Sequence, residues 1–188
     1  MSSATTSDFI PLKGHCVCRT LTYTLLAQPL ITHCCHCSYC QQETGSAFAL
    51  NTVIECYNFK ITSSDQPAFA NRPSPSSPDG SKHIVAHCPN PSCNVDIFSY
   101  YGGNRATVYV KLGSLDEQSR KRVRPDVHIF TSSKVEWVEL GAEVERGVKV
   151  CDEFYNMEDV WTKKSLERLG KLKEWKIKQE EEEEGKAV

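Results

Sequence analysis

The sequence predicts a mainly β fold braced by clustered thiols, followed by a C-terminal helical tail. Three observations carry this. Between residues 12 and 150 the apolar residues come in short runs that alternate with polar ones or stop at Gly, Pro and Asn, the pattern of strands and turns. Eight of the ten cysteines fall into three tight groups: Cys16 and Cys18; Cys34, Cys35, Cys37 and Cys40; Cys88 and Cys93. Apolar residues at helical spacing gather only beyond residue 154.

Taken in order, residues 1–11 read as a disordered tail, Ser/Thr-rich over the first eight. Residues 12–150 form the thiol-bearing domain and 151–188 a helical, acidic tail; a chain of 188 residues suits one such domain. Residues 21–26 (LTYTLL) alternate Thr with apolar side chains and predict a strand, as do 48–54 and 59–62. Residues 63–81 hold four prolines and six serines and predict a long loop with a turn at Pro78-Asp79-Gly80. Short strands follow at 84–86, 95–101 and 106–112, the last two joined by a hairpin turn through Gly102 and Gly103. Residues 128–130 and 135–140 complete the β core. Past residue 154, Leu166, Leu169, Leu172 and Trp175 give a helix one apolar face, and residues 180–184 are an acidic, solvated end.

A hydrophobic content of 39% describes a soluble protein, and a net charge of −2 argues against nucleic acid or an anionic membrane as partner. No apolar run approaches the roughly 18 residues needed to cross a bilayer. The first eleven residues lack the basic and apolar blocks of a secretory signal, so the expected location is the cytoplasm, with the nucleus as the alternative. In a reducing compartment clustered thiols bind metal or do redox chemistry more often than they form disulfides. Cys56 and Cys151 stand alone and read as buried small hydrophobes.

Cys16 and Cys18 need two more ligands to close a metal site. Cys88 and Cys93 would supply them and pin the start of the domain to its middle; Cys37 and Cys40 would also serve, leaving the third group idle. Cys35, Cys37 and Cys40 form C-x-C-x-x-C, three thiols in six residues. A structural zinc takes four protein ligands, whereas a catalytic zinc takes three and keeps one position for water or substrate. Three thiolates make a soft centre that favours a substrate thiolate. Cys34 adjoins Cys35 and points elsewhere, and His36 faces away from the metal. A redox reading of Cys37 and Cys40 lacks the βαβ context such motifs have.

Three segments resemble the glutathione-dependent formaldehyde-activating enzyme family, whose domain is shared with centromere protein V. They are Gly14-His15-Cys16-Val17-Cys18 with Leu21-Thr22-Tyr23; Cys35-His36-Cys37-Ser38-Tyr39-Cys40 running on through Gly45 to Phe48; and Val110-Lys111-Leu112-Gly113-Ser114, Pro125 to Phe130 and Trp137. The resemblance implies small antiparallel sheets around zinc, a β-tent. It implies two zinc ions per chain, one structural at Cys16, Cys18, Cys88 and Cys93, one catalytic at Cys35, Cys37 and Cys40. The chain departs from the family in having Arg19 where Gly is usual after the first C-x-C. Its third thiol group is also longer, Cys88-Pro89-Asn90-Pro91-Ser92-Cys93.

The implied activity is that of a zinc-dependent carbon–sulfur lyase acting on S-hydroxymethylglutathione or a related thiol–carbonyl adduct, with glutathione as co-substrate. His128 is the candidate base, and Thr44, Gly45 and Ser46 are candidates to contact a peptide-like ligand. The alternative is a non-enzymatic, zinc-stabilised binding module as in centromere protein V. Lys111 and the run Arg120-Lys121-Arg122-Val123-Arg124 are the only dense basic stretch such a module could use. In a third reading zinc is structural only and the tail helix drives homo-oligomer assembly.

Overall fold

A computed structural model describes residues 9–75, 77–78 and 82–186. Its strands and helices, in chain order, are β1 (Leu12–His15), β2 (Thr22–Leu25), β3 (Ile31–Cys35), α1 (Ser38–Thr44), β4 (Ala49–Glu55), β5 (Phe59–Ile61), β6 (Ala68–Asn71), β7 (His83–His87), β8 (Asp96–Tyr101), β9 (Thr107–Lys111), α2 (Glu117–Arg120), β10 (Val127–Ile129), α3 (Gly141–Glu145), β11 (Lys149–Val150), α4 (Met157–Val160) and α5 (Lys163–Lys186). The mainly β class and the C-terminal helix hold.

Two sheets form. β1, β2 and β5 make a small antiparallel sheet, and eight strands run β11-β10-β3-β4-β9-β8-β7-β6. The larger sheet is antiparallel except at one end, where β10 lies parallel to both β3 and β11. The small sheet turns Leu12, Tyr23 and Leu25 onto Ile54, Phe98, Val108 and Val110 of the large one, and this contact is the main core. Gly14 sits against the Tyr23 ring, which any Cβ at that position would overlap. Cys16 and Cys88 belong to the main core, whereas Cys35 and Cys40 belong to a second cluster with Ile31, Val53, Val127 and Ile129. Each thiol group is therefore rooted in its own packed layer.

Several elements depart from expectation. Residues 135–140 form a turn and loop, not a strand, and Trp137 is 74% exposed. Their place beside β10 is taken: β3 pairs on one side and the short β11 on the other. The Pro/Ser-rich stretch contains a strand, β6, which edges the large sheet against β7. The Asp79-Gly80 part of the expected turn and the first eight residues lie outside the described residues. Cys56 and Cys151 are half-buried.

The terminal helix starts at Lys163, later than the apolar pattern suggests, and runs through the acidic stretch. It is docked. Leu172 is buried, Trp175 stands edge-on to Tyr57 at 5.4 Å, and the Ser165 hydroxyl donates to the Leu30 carbonyl at 2.7 Å. The Arg168 guanidinium grips the buried Glu55 carboxylate through two nitrogens, at 2.8 and 2.6 Å.

Candidate metal centres and the adjoining cavity

Cys16, Cys18, Cys88 and Cys93 converge, with all four sulfurs within 4.8 Å of one another. Cys18 lies 3.5 Å from Cys16 and 3.6 Å from Cys88. Thiolates about 2.3 Å from a tetrahedral zinc would stand about 3.8 Å apart, so the donor set fits that ion. The backbone supports it: the Leu21 N–H donates to Cys16 Sγ at 3.3 Å. Arg19, at the turn between Cys18 and Leu21, has φ +63°, a left-handed conformation that Gly adopts freely. The longer knuckle also closes. The N–H groups of Cys93 and Asn94 both donate to the Asn90 carbonyl at 2.9 Å, with Asn94 left-handed.

Cys35, Cys37 and Cys40 form a second group, again within 4.8 Å, with Cys35 and Cys37 3.5 Å apart. No fourth Cys, His, Asp or Glu joins it among the described residues. Cys35 ends β3, Cys37 caps the N-terminus of α1, and Cys40 lies within its first turn. The Cys40 N–H donates to Cys37 Sγ. Hydrogen bonds from the Cys35 and Cys40 thiols, helped by the Cys40 and Tyr39 N–H groups, hold the Cys37 thiol far below its ordinary value. The bond to Cys37 pushes Cys35 up to about 11, and the bonds to Cys35 and Cys37 push Cys40 higher still. The trio is a compact set of soft donors suited to a dication.

Strand alternation separates the neighbours. Cys35 faces the three-thiol group, while Cys34 turns the other way, followed by His36. There they meet His128, which pairs with Cys34 across β3 and β10. These three also lie within 4.8 Å. The 3.0 Å between His36 Nε2 and His128 Nδ1 is that of an N–H···N hydrogen bond, shorter than two imidazoles on one zinc would allow. Glu143 stands 3.7 Å from His128 Nε2. Burial holds His36 at about 4 and lowers His128, so both rings are neutral at pH 7.

A cavity of about 330 Å³ lies over the three thiols, which line it. Neither His128 nor Thr44, Gly45 or Ser46 is on its wall. The last three end α1 instead: Thr44 Oγ1 donates to the Cys40 carbonyl, Gly45 is left-handed, and the Ser46 N–H returns to the Gln41 carbonyl. The wall consists of residues that spacing arguments missed, chiefly Tyr39, Tyr101, Tyr109, Phe130 and Phe154. Their signal was period-two alternation in β8 and β9, which puts Tyr101 and Tyr109 together at 4.9 Å. Phe130 has φ +56°, a strained conformation for a bulky residue. Burial keeps the tyrosine hydroxyls protonated and lowers His33, also on the wall, to about 4. Tyr39 shares a 2.8 Å hydrogen bond with His83 Nδ1, and His83 stacks on Tyr101 at 4.3 Å. Asn51 lines the cavity too, and its amide oxygen is buried without a partner.

No helix among the described residues is long and apolar enough to cross a membrane. No curated protein matches the sequence. Among solved structures, a crystal structure of a Rhodobacter sphaeroides protein from structural genomics matches with a TM-score of 0.42 and 16% identity, covering 60% of this chain and 91% of that one. The family model for the glutathione-dependent formaldehyde-activating enzyme matches residues 11–133. That span holds both thiol groups and most of both sheets, and the chain belongs to that family.

Proposed function

We propose that the protein is a zinc-dependent carbon–sulfur lyase that makes and breaks the bond between a thiol sulfur and an aldehyde carbon. The observation that carries this is the set of three convergent thiols, with no fourth protein donor among the described residues, at the wall of a cavity. Cys35, Cys37 and Cys40 would hold the reactive zinc; Cys16, Cys18, Cys88 and Cys93 would hold a structural one. Zinc at the three-thiol site supplies a Lewis acid and a soft acceptor for a thiolate.

The residues around it then do the rest. Toward the adduct, the thiol gives its proton to the Tyr39–His83 pair, its sulfur pair forms the C–S bond, the carbonyl π pair moves to oxygen, and that oxygen takes a proton back from the same pair, so that none is gained or lost overall. Tyr39 is placed to give it, because it lines the cavity, stays protonated and is tied to His83. In the lyase direction the hydroxyl proton returns the same way and the C–S pair leaves on sulfur. His128, behind β3, acts as a positioning residue through His36. The aromatic wall limits water around the reacting carbon.

The binding-module reading has less support. Arg120 donates to the Gly113 and Leu115 carbonyls, Arg122 to those of Ile10 and Pro11, and Lys121 pairs with Glu117. Lys111 is paired with Glu43. Arg120, Lys121 and Arg122 thus each have a structural partner of their own, which weakens the case for a stripe built to hold phosphates.

Zinc analysis with hemithioacetal turnover tests the proposal. Two zinc ions per chain are expected, falling to one in Cys35→Ser with turnover lost. Tyr39→Phe should keep both ions and lower kcat by about 10²-fold. One zinc ion in the unaltered protein, or full turnover in Cys35→Ser, rejects the open site.

A further inference from the structure

The family's namesake thiol, glutathione, carries two carboxylates and an ammonium group, and a site built for it needs cations or clustered backbone N–H groups at those ends. Among its described lining residues the cavity has no cation. No Lys, Arg, Asp or Glu is among its lining residues within the described part of the chain. The polar groups on the wall are His33, Asn51, Ser74 and the tyrosine hydroxyls. None of the cations nearest in sequence to the wall lines it. Lys111 holds Glu43 at 2.8 Å, Arg72 holds Asp96 at 3.0 Å, and Lys134 donates to the Val135 carbonyl at 3.2 Å. Arg72 is the only basic residue in the Pro/Ser-rich insertion, so that segment brings no second cation to the rim. Three thiolates around a dication leave the floor net negative, which repels carboxylates further.

What the cavity offers instead is aromatic surface. Tyr101 and Tyr109 meet edge to face, and Phe130 and Phe154 stand 6.2 Å apart. Phe154 is also stacked on Tyr155 at 4.7 Å, and the Tyr155 hydroxyl accepts from Trp161 Nε1 at 2.8 Å. That wall is preorganised by contacts behind it. Part of it lies outside the span matched to the family: Phe154 follows residue 133 by twenty-one positions. The strained backbone at Phe130 keeps that side chain on the wall against a local cost.

From this composition we infer that the thiol partner is uncharged and carries an aromatic or branched apolar body, as an arylalkyl thiol or its hemithioacetal does. The inference rests on the lyase reading, since it assumes that the thiol sulfur enters the three-thiol site. An unpaired carboxylate would lose its hydration in such a cavity with nothing to replace it, whereas a phenyl ring gains by leaving water.

Calorimetric titration of the zinc-loaded protein with three thiols tests it. Ethanethiol reports the metal site alone, 2-phenylethanethiol adds an apolar body, and glutathione adds charge. The expected order places 2-phenylethanethiol at least about tenfold tighter than glutathione. Phe154→Arg should narrow that ratio by about tenfold without changing zinc content; Phe154 is 57% exposed, so the fold should tolerate the change. Glutathione binding as tightly as the aromatic thiol, or tighter, overturns the substrate class while leaving the lyase reading intact. If none of the three binds, the open site itself is rejected and the substrate class falls with it.

Discussion

Arg19 shows how one residue can carry a cost that a family pattern hides. Its φ of +63° sits at the turn that returns the chain from Cys18 to Leu21. An L-residue there loses about 1 kcal/mol relative to Gly, offset in part by the greater freedom Gly has when unfolded. Arg19→Gly should therefore stabilise the zinc-loaded protein by about 0.5–1 kcal/mol, read as a higher denaturation midpoint at unchanged slope. An unchanged or lower midpoint would place the cost elsewhere. The departure was legible as a mismatch; its physical meaning, a left-handed turn, needed the backbone. Tyr39 is the opposite case. It stands inside a motif noticed for its cysteines, and nothing in its spacing marks it as the partner of His83, 44 positions away.

At the scale of elements, β3 was one of four strands, with β1, β6 and β11, that sequence reading overlooked. All five residues of Ile31–Cys35 are buried, so no polar alternation marks it, and its two cysteines drew attention as thiols rather than as strand residues. The tail helix was legible as an amphipathic face, but its anchor was not. Arg168 reads as one more charge in a basic and acidic stretch, yet it closes on Glu55, a carboxylate 1% exposed. Removing one partner of a buried pair leaves the other charge stranded, which costs about 3 kcal/mol or more. Arg168→Ala should lower stability by about that amount and expose the α5 amides to hydrogen exchange. A loss below about 1 kcal/mol would mean that the pair is solvated and the helix held by Leu172 and Trp175 alone.

For the whole molecule, the four-thiol group joins the two ends of the main core. Cys18 and Cys88 are 70 positions apart and their sulfurs 3.6 Å. Closing a loop of that length removes about 4 kcal/mol of chain entropy from the unfolded state. Stripping zinc with a chelator should therefore lower Tm by about 10 °C, and Cys16→Ser should reproduce most of that drop. Cys35→Ser should cause a smaller one, because its group closes a loop of only six residues. Equal drops in both variants would contradict the division into staple and reactive site. The gathering of the thiols into a group of four and a group of three was legible from thiol spacing together with family likeness. The parallel end of the large sheet was not, because the pairing of β10 with β3 joins residues more than ninety positions apart and neither strand signals its neighbour.

The two faces of β3 give strand register a chemical meaning. A slip of one residue against β10 would exchange Cys35 for its neighbours and present a thiol and an imidazole where three thiols now meet. Both sets attract the same ions. Metal arriving before the strands pair can capture the wrong one, and metal arriving afterwards meets a choice already made by hydrogen bonds. For this chain the order of strand pairing and metal capture would then decide which set of donors an incoming ion meets.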